Sequence, residues 1–586
     1  MYFLYLSYIC EKIIAENNLI SNLKPIIMKP ILKATLLAAV LTLVAQSIVA
    51  QQGGMGAPAN PENVIYTERS FDMAQEYGRS LNFAPTFFIY PDSKLTEEGA
   101  KALVAEMEMA DVLKEHNVSL FVLNPVGEKY DNKADFDAFV EMFNRARSGN
   151  LKVIGVGAGA TFVNSALAMG DAASHIAGIV TIGGKQAKAP AESYGVPAYV
   201  AGKGAAKVAK SYIAINKAVS EGEIYANPEE PLLRVVVNEN ADASLAEIFD
   251  DAWVKVLRRN FRFNNYKHTQ YEGARFGQYG AYELEPYLVH EDLGITRNVV
   301  ITEQRSGLPW LWYEYWPEGL QESAAEKSVP VMVLLHGNTN DPRTQAETSG
   351  FIQLAAKERF FVVEMEWQGS RNYGAMGHDG VEQVLYQLFA KYPQLDPSRV
   401  YAEGLSAGSM TASVLGIRKS HVFTAVGGHS GGVMGGSGAF SNYTSLWAEA
   451  SQKSGAVEMP YCSVLGTADN VVPFITPERY KGNGYLNAWN IYQKMNGMPV
   501  ITDLDFSVDP VFGFELQDRK QIVTNKGGGL VVEMGTQYKG DVPMIQIIAV
   551  MDYGHWNFMP TAQMMWDFYK QFSRDPETKK LIYHGK

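Results

Sequence analysis

Three residues far apart in the chain, Ser406, Asp469 and His555, are of the types that together activate a hydroxyl group. Ser406 lies in Gly404-Leu405-Ser406-Ala407-Gly408, after the apolar run Val400-Tyr401-Ala402 and before a helix-compatible segment. A serine at the apex of strand, tight turn and helix has its hydroxyl lifted above a sheet edge. Small residues two places to either side let strand and helix approach closely. A serine hydroxyl is a weak nucleophile until a base takes its proton, and the base needs an acid to orient it. Asp469 in VLGTADNVVP and His555 in MDYGHWNF each follow a predicted strand, in the chain order serine, acid, base. Asp541 and Asp552 are alternative acids, but neither lies in the loop after the strand predicted at 461–465. His429, in GGHSGG, precedes the acid and is a residue for the pocket wall rather than the base. His584 lies in the tail. An oxyanion hole needs two backbone N–H groups. Ala407 supplies one, and the loop His336-Gly337-Asn338 in LLHGNTND supplies the other, through Asn338.

Alternating strands and helices must position these groups. In the first half, strands are predicted at Thr86–Tyr90, Val118–Leu123, Leu151–Val156, Ile176–Ile182, Ala198–Ala201 and Leu232–Val237, with a closing helix at Ser244–Asn260. The second half repeats the order at Val331–Leu335, Phe360–Glu364, the elbow, Thr424–Gly427, Tyr461–Leu465 and Met544–Val550, with a helix at Ala346–Glu358. Such alternation predicts parallel sheets covered on both faces. Anchors align between the halves: GVGAGATFVNSAL with GLSAGSMTASVLG, and PAYVAGKGAA with PYCSVLGTADN. We therefore expect an internal duplication. In the first copy Gly157 takes the place of the serine, Ala205 falls near that of Asp469, and Asn240 or Ala241 near that of His555. That copy is expected to be degenerate.

The expected organisation is a signal segment with an upstream extension at 1–50, a leader at 51–63 and a degenerate domain at 64–260. An aromatic-rich connector at 261–294 and a catalytic domain at 295–586 follow. From Met28, Lys29 and Lys33 precede the apolar run Ala34–Ala45, and Ser47 and Ala50 suit a cleavage site. This pattern predicts a secreted or periplasmic mature protein. Met28 competes with Met1 as the start. With 586 residues, 47% of them hydrophobic, the chain can bury large cores. Net charge is −12, without a basic cluster interleaved with aromatics, which argues against nucleic acid as a partner. Cys10 and Cys462 are the two cysteines. Cys462, in PYCSVLG, reads as a buried strand residue, and no cysteine-based metal site or H-E-x-x-H is present. No metal site of these kinds is expected. Trp310, Trp312 and Trp316 in LPWLWYEYWP suit packing on a sheet better than stacking on sugars. Strands at 514–523 and 530–538 read as an insertion over the catalytic edge, a candidate lid.

Taken together, LLHGNTND, LDPSRVYAEGLSAGS, LGTADNVVP and GHWNF resemble the polyhydroxybutyrate-depolymerase-like and feruloyl-esterase-like branch of the α/β-hydrolases, over roughly residues 295–586. The resemblance implies two tandem doubly wound α/β-hydrolase-like domains, the first degenerate. It implies a cofactor-free serine carboxylesterase with the triad Ser406, Asp469 and His555 and the oxyanion donors Asn338 and Ala407. Expected substrates are acyl or aryl esters of polysaccharides, or polyesters. The sequence departs where the family often has cysteine (Asn338) and glycine (Ser409). Rival readings are a serine peptidase of the same fold and a glycan-binding protein with a vestigial triad.

Overall fold

The computed structural model describes residues 60–69, 84–263, 276–277, 283–434, 442–524 and 529–585, except 117, 147, 186–192, 305–306 and 371. The expected signal segment and most of the leader lie outside these residues.

The first half forms a nine-stranded sheet. Its strands are β1 (Val64–Arg69), β2 (Thr86–Tyr90), β3 (Ser119–Leu123), β4 (Leu151–Val156), β5 (Ile176–Ile182), β6 (Ala198–Ala201), β7 (Val219–Glu221), β8 (Ile224–Ala226) and β9 (Arg234–Asn238). They run in the order β1-β3-β2-β4-β5-β6-β9-β8-β7. β2 reads TFFIY and is buried along its whole length, as a parallel strand covered on both faces must be.

A short ribbon follows, β10 (Asn260–Phe263) with β11 (Glu283–Pro286). The second sheet has ten strands: β12 (Ile295–Thr302), β13 (Trp310–Pro317), β14 (Val329–Leu335), β15 (Phe361–Met365), β16 (Leu395–Gly404), β17 (Ala425–His429), β18 (Tyr461–Gly466), β19 (Gln517–Val523), β20 (Val531–Lys539) and β21 (Val542–Val550). Their order is β12-β13-β15-β14-β16-β17-β18-β21-β20-β19.

With β12 set aside, the two orders match strand for strand. The directions match too. The first-edge strands β1 and β13 are antiparallel to β3 and β15. The central strands are parallel, and each sheet ends in an antiparallel hairpin, β7–β8 or β19–β20. That correspondence corrects the lid expectation. β19 and β20 extend the sheet beyond β21, where β8 and β7 extend the first sheet beyond β9, so they belong to the shared plan.

The described residues at the two ends of the connector are packed. Phe261, Tyr287, Leu288 and Val289 share a core cluster with Tyr313 and Phe351 of the second half. On the other side, the buried Lys152 Nζ donates to Asn260 O at 2.6 Å, and Arg262 N donates to Gly149 O at 2.8 Å. Trp312 and Trp316 are buried in the second core, and Trp310 packs against it, as the packing reading requires. Cys462 is a buried residue of β18. The helix predicted over 346–358 is two helices, α1 (Arg343–Ser349) and α2 (Phe351–Glu358). They break at Gly350, whose φ is +87° and where a Cβ would lie 2.9 Å from Met559 O.

Candidate active site

β14, β16, β17, β18 and β21 are parallel, so their C-terminal ends share one edge of the sheet. Ser406 follows β16, Asp469 follows β18 and His555 follows β21, which brings all three to that edge.

Ser406 joins β16 to α3 (Ala407–Arg418) with φ 54° and ψ −115°, a backbone conformation that side chains rarely adopt. Its N–H donates to His429 O at 2.9 Å, which fixes the turn against β17. The flanking glycines are sterically required. A Cβ on Gly404 would lie 2.7 Å from Gly408 O, and one on Gly408 would lie 2.6 Å from His336 O. Ser409, at the position where the resemblance favours glycine, finds room because Gly428 and Gly431 face it. A Cβ on Gly428 would lie 2.6 Å from Ser409 Oγ.

His555 and Asp469 form a fully buried pair, with Nδ1 to Oδ2 at 2.7 Å. The other carboxylate oxygen, Oδ1, accepts from Val471 N at 2.8 Å and Val472 N at 2.9 Å. These two main-chain donors hold the carboxylate in place. Donation from Nδ1 to Asp469 leaves Nε2 as the basic ring nitrogen. The histidine loop is close-packed onto the acid loop, since a Cβ on Gly466 would lie 2.5 Å from Gly554 O.

The loop carrying Asn338 is braced from β15's side. Gln368 Oε1 accepts from Thr339 N at 2.8 Å, and Gln368 Nε2 donates to Asn338 Oδ1. Trp367 Nε1 donates to His336 O at 2.9 Å. Asn338 is exposed at the edge and Ala407 is buried behind it.

The remaining candidates fall elsewhere. Asp541 sits in the turn between β20 and β21, at the opposite end of the sheet. Asp552 N donates to Thr467 Oγ1, beside the acid loop. His584 is bonded to Ser573 near the C-terminus. His429 faces Glu403 and Thr561. It is buried, with Nδ1 2.8 Å from Glu403 Oε1 and Nε2 2.6 Å from Thr561 Oγ1. Sequence reasoning missed Glu403, Gln345 and Asn557, which form a buried polar cluster with it. A charged residue inside the otherwise apolar run VYAEG was the available signal. Nearby, burial pushes the Glu364 carboxyl well above the ordinary carboxylate range, and its Oε2 accepts from Ala346 N at 2.8 Å. Among the described residues, no group of three or more His, Cys, Asp or Glu side chains is arranged to hold a metal ion.

The first half has the same turn. Gly157 has φ 56° and ψ −112°, within a few degrees of Ser406. A Cβ on Gly159 would lie 2.6 Å from Pro91 O, as one on Gly408 would from His336 O. This register places Asp92 where the second half has Gly337. Asp92 Oδ1 accepts from Ala158 N at 2.6 Å, and the same carboxylate occupies the space where a side chain on Gly157 would project.

Residues 314–457 match the sequence model of a family described as esterase PHB depolymerase. No curated protein matches the chain. Among solved structures, an acetyl xylan esterase from Aspergillus awamori is similar at 15% identity and TM-score 0.32, covering 47% of this chain and 99% of its own. An S-formylglutathione hydrolase from Agrobacterium tumefaciens is similar at 11% identity and TM-score 0.33, covering 49% and 97%. An acylaminoacyl peptidase from Pyrococcus horikoshii is similar at 13% identity and TM-score 0.25, covering 37% and 39%.

Proposed function

We propose that the chain is a serine carboxylic-ester hydrolase acting through Ser406, His555 and Asp469, a reading supported by the match of residues 314–457 to the esterase PHB depolymerase family. The observation that carries the reading is the buried His555–Asp469 pair at the same sheet edge as the strained Ser406 turn. His555 Nε2 takes the Ser406 proton as Oγ attacks the ester carbonyl. The N–H groups of Ala407 and Asn338 receive the charge that develops on the carbonyl oxygen. The imidazolium, stabilised by Asp469, returns its proton to the departing alcohol and leaves an acyl group on Ser406. A water molecule then gives a proton to His555, attacks the acyl carbonyl and releases the acid, and the serine regains its proton.

The substrates in this reading are acyl or aryl esters of polysaccharides, or polyesters. The Met28–Ala50 segment supports export to the periplasm or beyond. The test is covalent labelling by a fluorophosphonate probe together with turnover of a p-nitrophenyl ester. Labelling at Ser406 that is lost in Ser406→Ala supports the reading. Full turnover in Ser406→Ala refutes it.

A further inference from the structure

Beneath the catalytic edge, a hydrogen-bonded ring ties the histidine loop to the strand that carries the nucleophile. Asn557, two residues after His555, exchanges bonds with Gln345 of α1. Asn557 Nδ2 donates to Gln345 Oε1 at 2.9 Å, and Gln345 Nε2 donates to Asn557 Oδ1 at 3.2 Å. Gln345 Nε2 also donates to Glu403 Oε2 at 2.6 Å. Glu403 lies on β16, three residues before Ser406. Its other oxygen meets His429 Nδ1 at 2.8 Å, and His429 Nε2 meets Thr561 Oγ1 at 2.6 Å. Thr561 Oγ1 in turn donates to Phe558 O at 2.6 Å, which closes the ring on the residue after Asn557.

Every member is buried. Gln345 and Glu403 are at 0% exposure, His429 at 1% and Asn557 at 3%. The protons can be counted. A carbonyl only accepts, so Thr561 donates to Phe558 O and receives the His429 Nε2 proton. One further proton lies between His429 Nδ1 and Glu403 Oε1, and the Gln345 amide serves Glu403 Oε2. Each link therefore depends on its neighbours. Both arms of the histidine loop, at Asn557 and at Phe558–Thr561, are held to β16 and β17 through this one ring.

We propose that Glu403 and Gln345 are positioning residues that set His555 against Ser406 without touching substrate. The inference rests on the reading of Ser406 and His555 as nucleophile and base. It differs from an electrostatic role for Glu403 in what a neutral side chain should do. In Glu403→Gln the new amide oxygen still accepts from Gln345. Its N–H then faces the Nδ1 lone pair of a neutral His429 that still donates from Nε2 to Thr561, so the ring survives without charge. Glu403→Met and Gln345→Met each open it.

The experiment is steady-state turnover of a small p-nitrophenyl ester, with fluorophosphonate labelling rates measured in parallel, on the full mature chain. Displacing the base by about an ångström lowers kcat about 10²-fold. That loss is expected in both methionine variants, with KM changed by less than about threefold and labelling slowed in parallel. Glu403→Gln should stay within about tenfold of wild type, and the double methionine variant should be no slower than either single, because the ring is already open. Thr561→Val opens the ring at an isosteric site and should also lower kcat with KM unchanged. It carries the test if the methionine variants do not fold. Wild-type kcat in Gln345→Met or Thr561→Val overturns the proposal, as does a Glu403→Gln variant as slow as Glu403→Met. Ser406→Ala and His555→Ala run alongside. If they leave turnover intact, the catalytic reading itself fails, and that outcome is separate from any result on the ring.

Discussion

The same backbone turn occurs twice, once with serine and once with glycine, and this makes its strain measurable. Ser406 at φ 54° and ψ −115° lies outside the regions open to residues with a Cβ. Such positions cost about 1–3 kcal/mol. Ser406→Gly removes the clash of the Cβ with the backbone, offset by about 0.5–1 kcal/mol for the freer unfolded chain. Ser406→Ala keeps the Cβ and the strain. The glycine variant should therefore be more stable than the alanine variant by about 1 kcal/mol, or roughly 2–4 °C in melting temperature for a domain of this size. Both should lack esterase activity.

At Gly157 the sign reverses. Gly157→Ala takes on the same strain and drives the Asp92 carboxylate from its place, breaking its bond to Ala158 N. A hydrogen bond to a charged group is worth about 1.5–3 kcal/mol, with the lower end apt because Asp92 is exposed. The total loss is about 2–4 kcal/mol. The assay is thermal and urea melting of Ser406→Gly, Ser406→Ala, Gly157→Ala, Asp92→Ala and the Asp92→Ala/Gly157→Ala double variant. The double variant should be no less stable than Gly157→Ala alone, because the Asp92 bond is already lost there. A Ser406→Gly variant no more stable than Ser406→Ala refutes the strain argument. Strict additivity of the Asp92 and Gly157 changes refutes the filled-site argument.

Three other outcomes are expected. Ser406→Ala and His555→Ala should each lower ester turnover by about 10³-fold or more, with Asp469→Asn costing a similar or smaller factor, measured on a p-nitrophenyl ester. Gln368→Leu removes the brace on the Asn338–Thr339 loop and should lower kcat by about 10–10²-fold with the melting temperature nearly unchanged, and an unaltered kcat would show that the loop holds itself. His175 is buried against Phe143 and Phe276, and burial above all lowers its pKa from 6.5 to about 4. The unfolded chain therefore binds one more proton between these values. The stability this contributes is complete above about pH 6.5 and is lost as pH falls towards 4, at no more than about 1.4 kcal/mol per pH unit. His175→Phe should flatten that acid limb in melts taken across the window, and an unchanged slope would assign it to other groups.

The parallel strands were legible because burial on both faces writes them as unbroken apolar runs. TFFIY and IAGIVTI appear in the structure at their predicted bounds. Helix ends were less legible. Gly350 was the local signal of the break, and its position serves the approach of Met559 from over two hundred residues away. The hairpin β19–β20 was seen as strands but misplaced as an insertion, since pairing partners are set by long-range register rather than by pattern. Of the site, the elbow and the two loop residues could be read from their spacing and order. The ring of Gln345, Glu403, His429 and Asn557 could not. Its members come from four elements, and a glutamate in a buried strand announces a partner without naming it.

In the first half the same turn carries glycine, and its N–H donor is already occupied. A turn that aims a backbone N–H at a developing oxyanion attracts an anion whether or not a serine stands at its apex. Gly157 keeps the turn unstrained, and Asp92 from the neighbouring loop fills the space a side chain there would take. The carboxylate then satisfies Ala158 N permanently, where Ala407 N in the second half is left to serve the reaction in the proposed mechanism. Restoring the nucleophile alone would therefore fail on two counts. A serine at 157 would find no histidine in the described segment 239–256 that follows β9 to take its proton, and its side chain would have to displace Asp92 from the donor it needs. Gly157→Ser should remain unlabelled by a fluorophosphonate even with Asp92→Gly added, because the second change opens the donor without supplying a base. Labelling of that double variant at position 157, read by peptide mapping in an Ser406→Ala background, would mean that a base stands within reach of the first elbow after all.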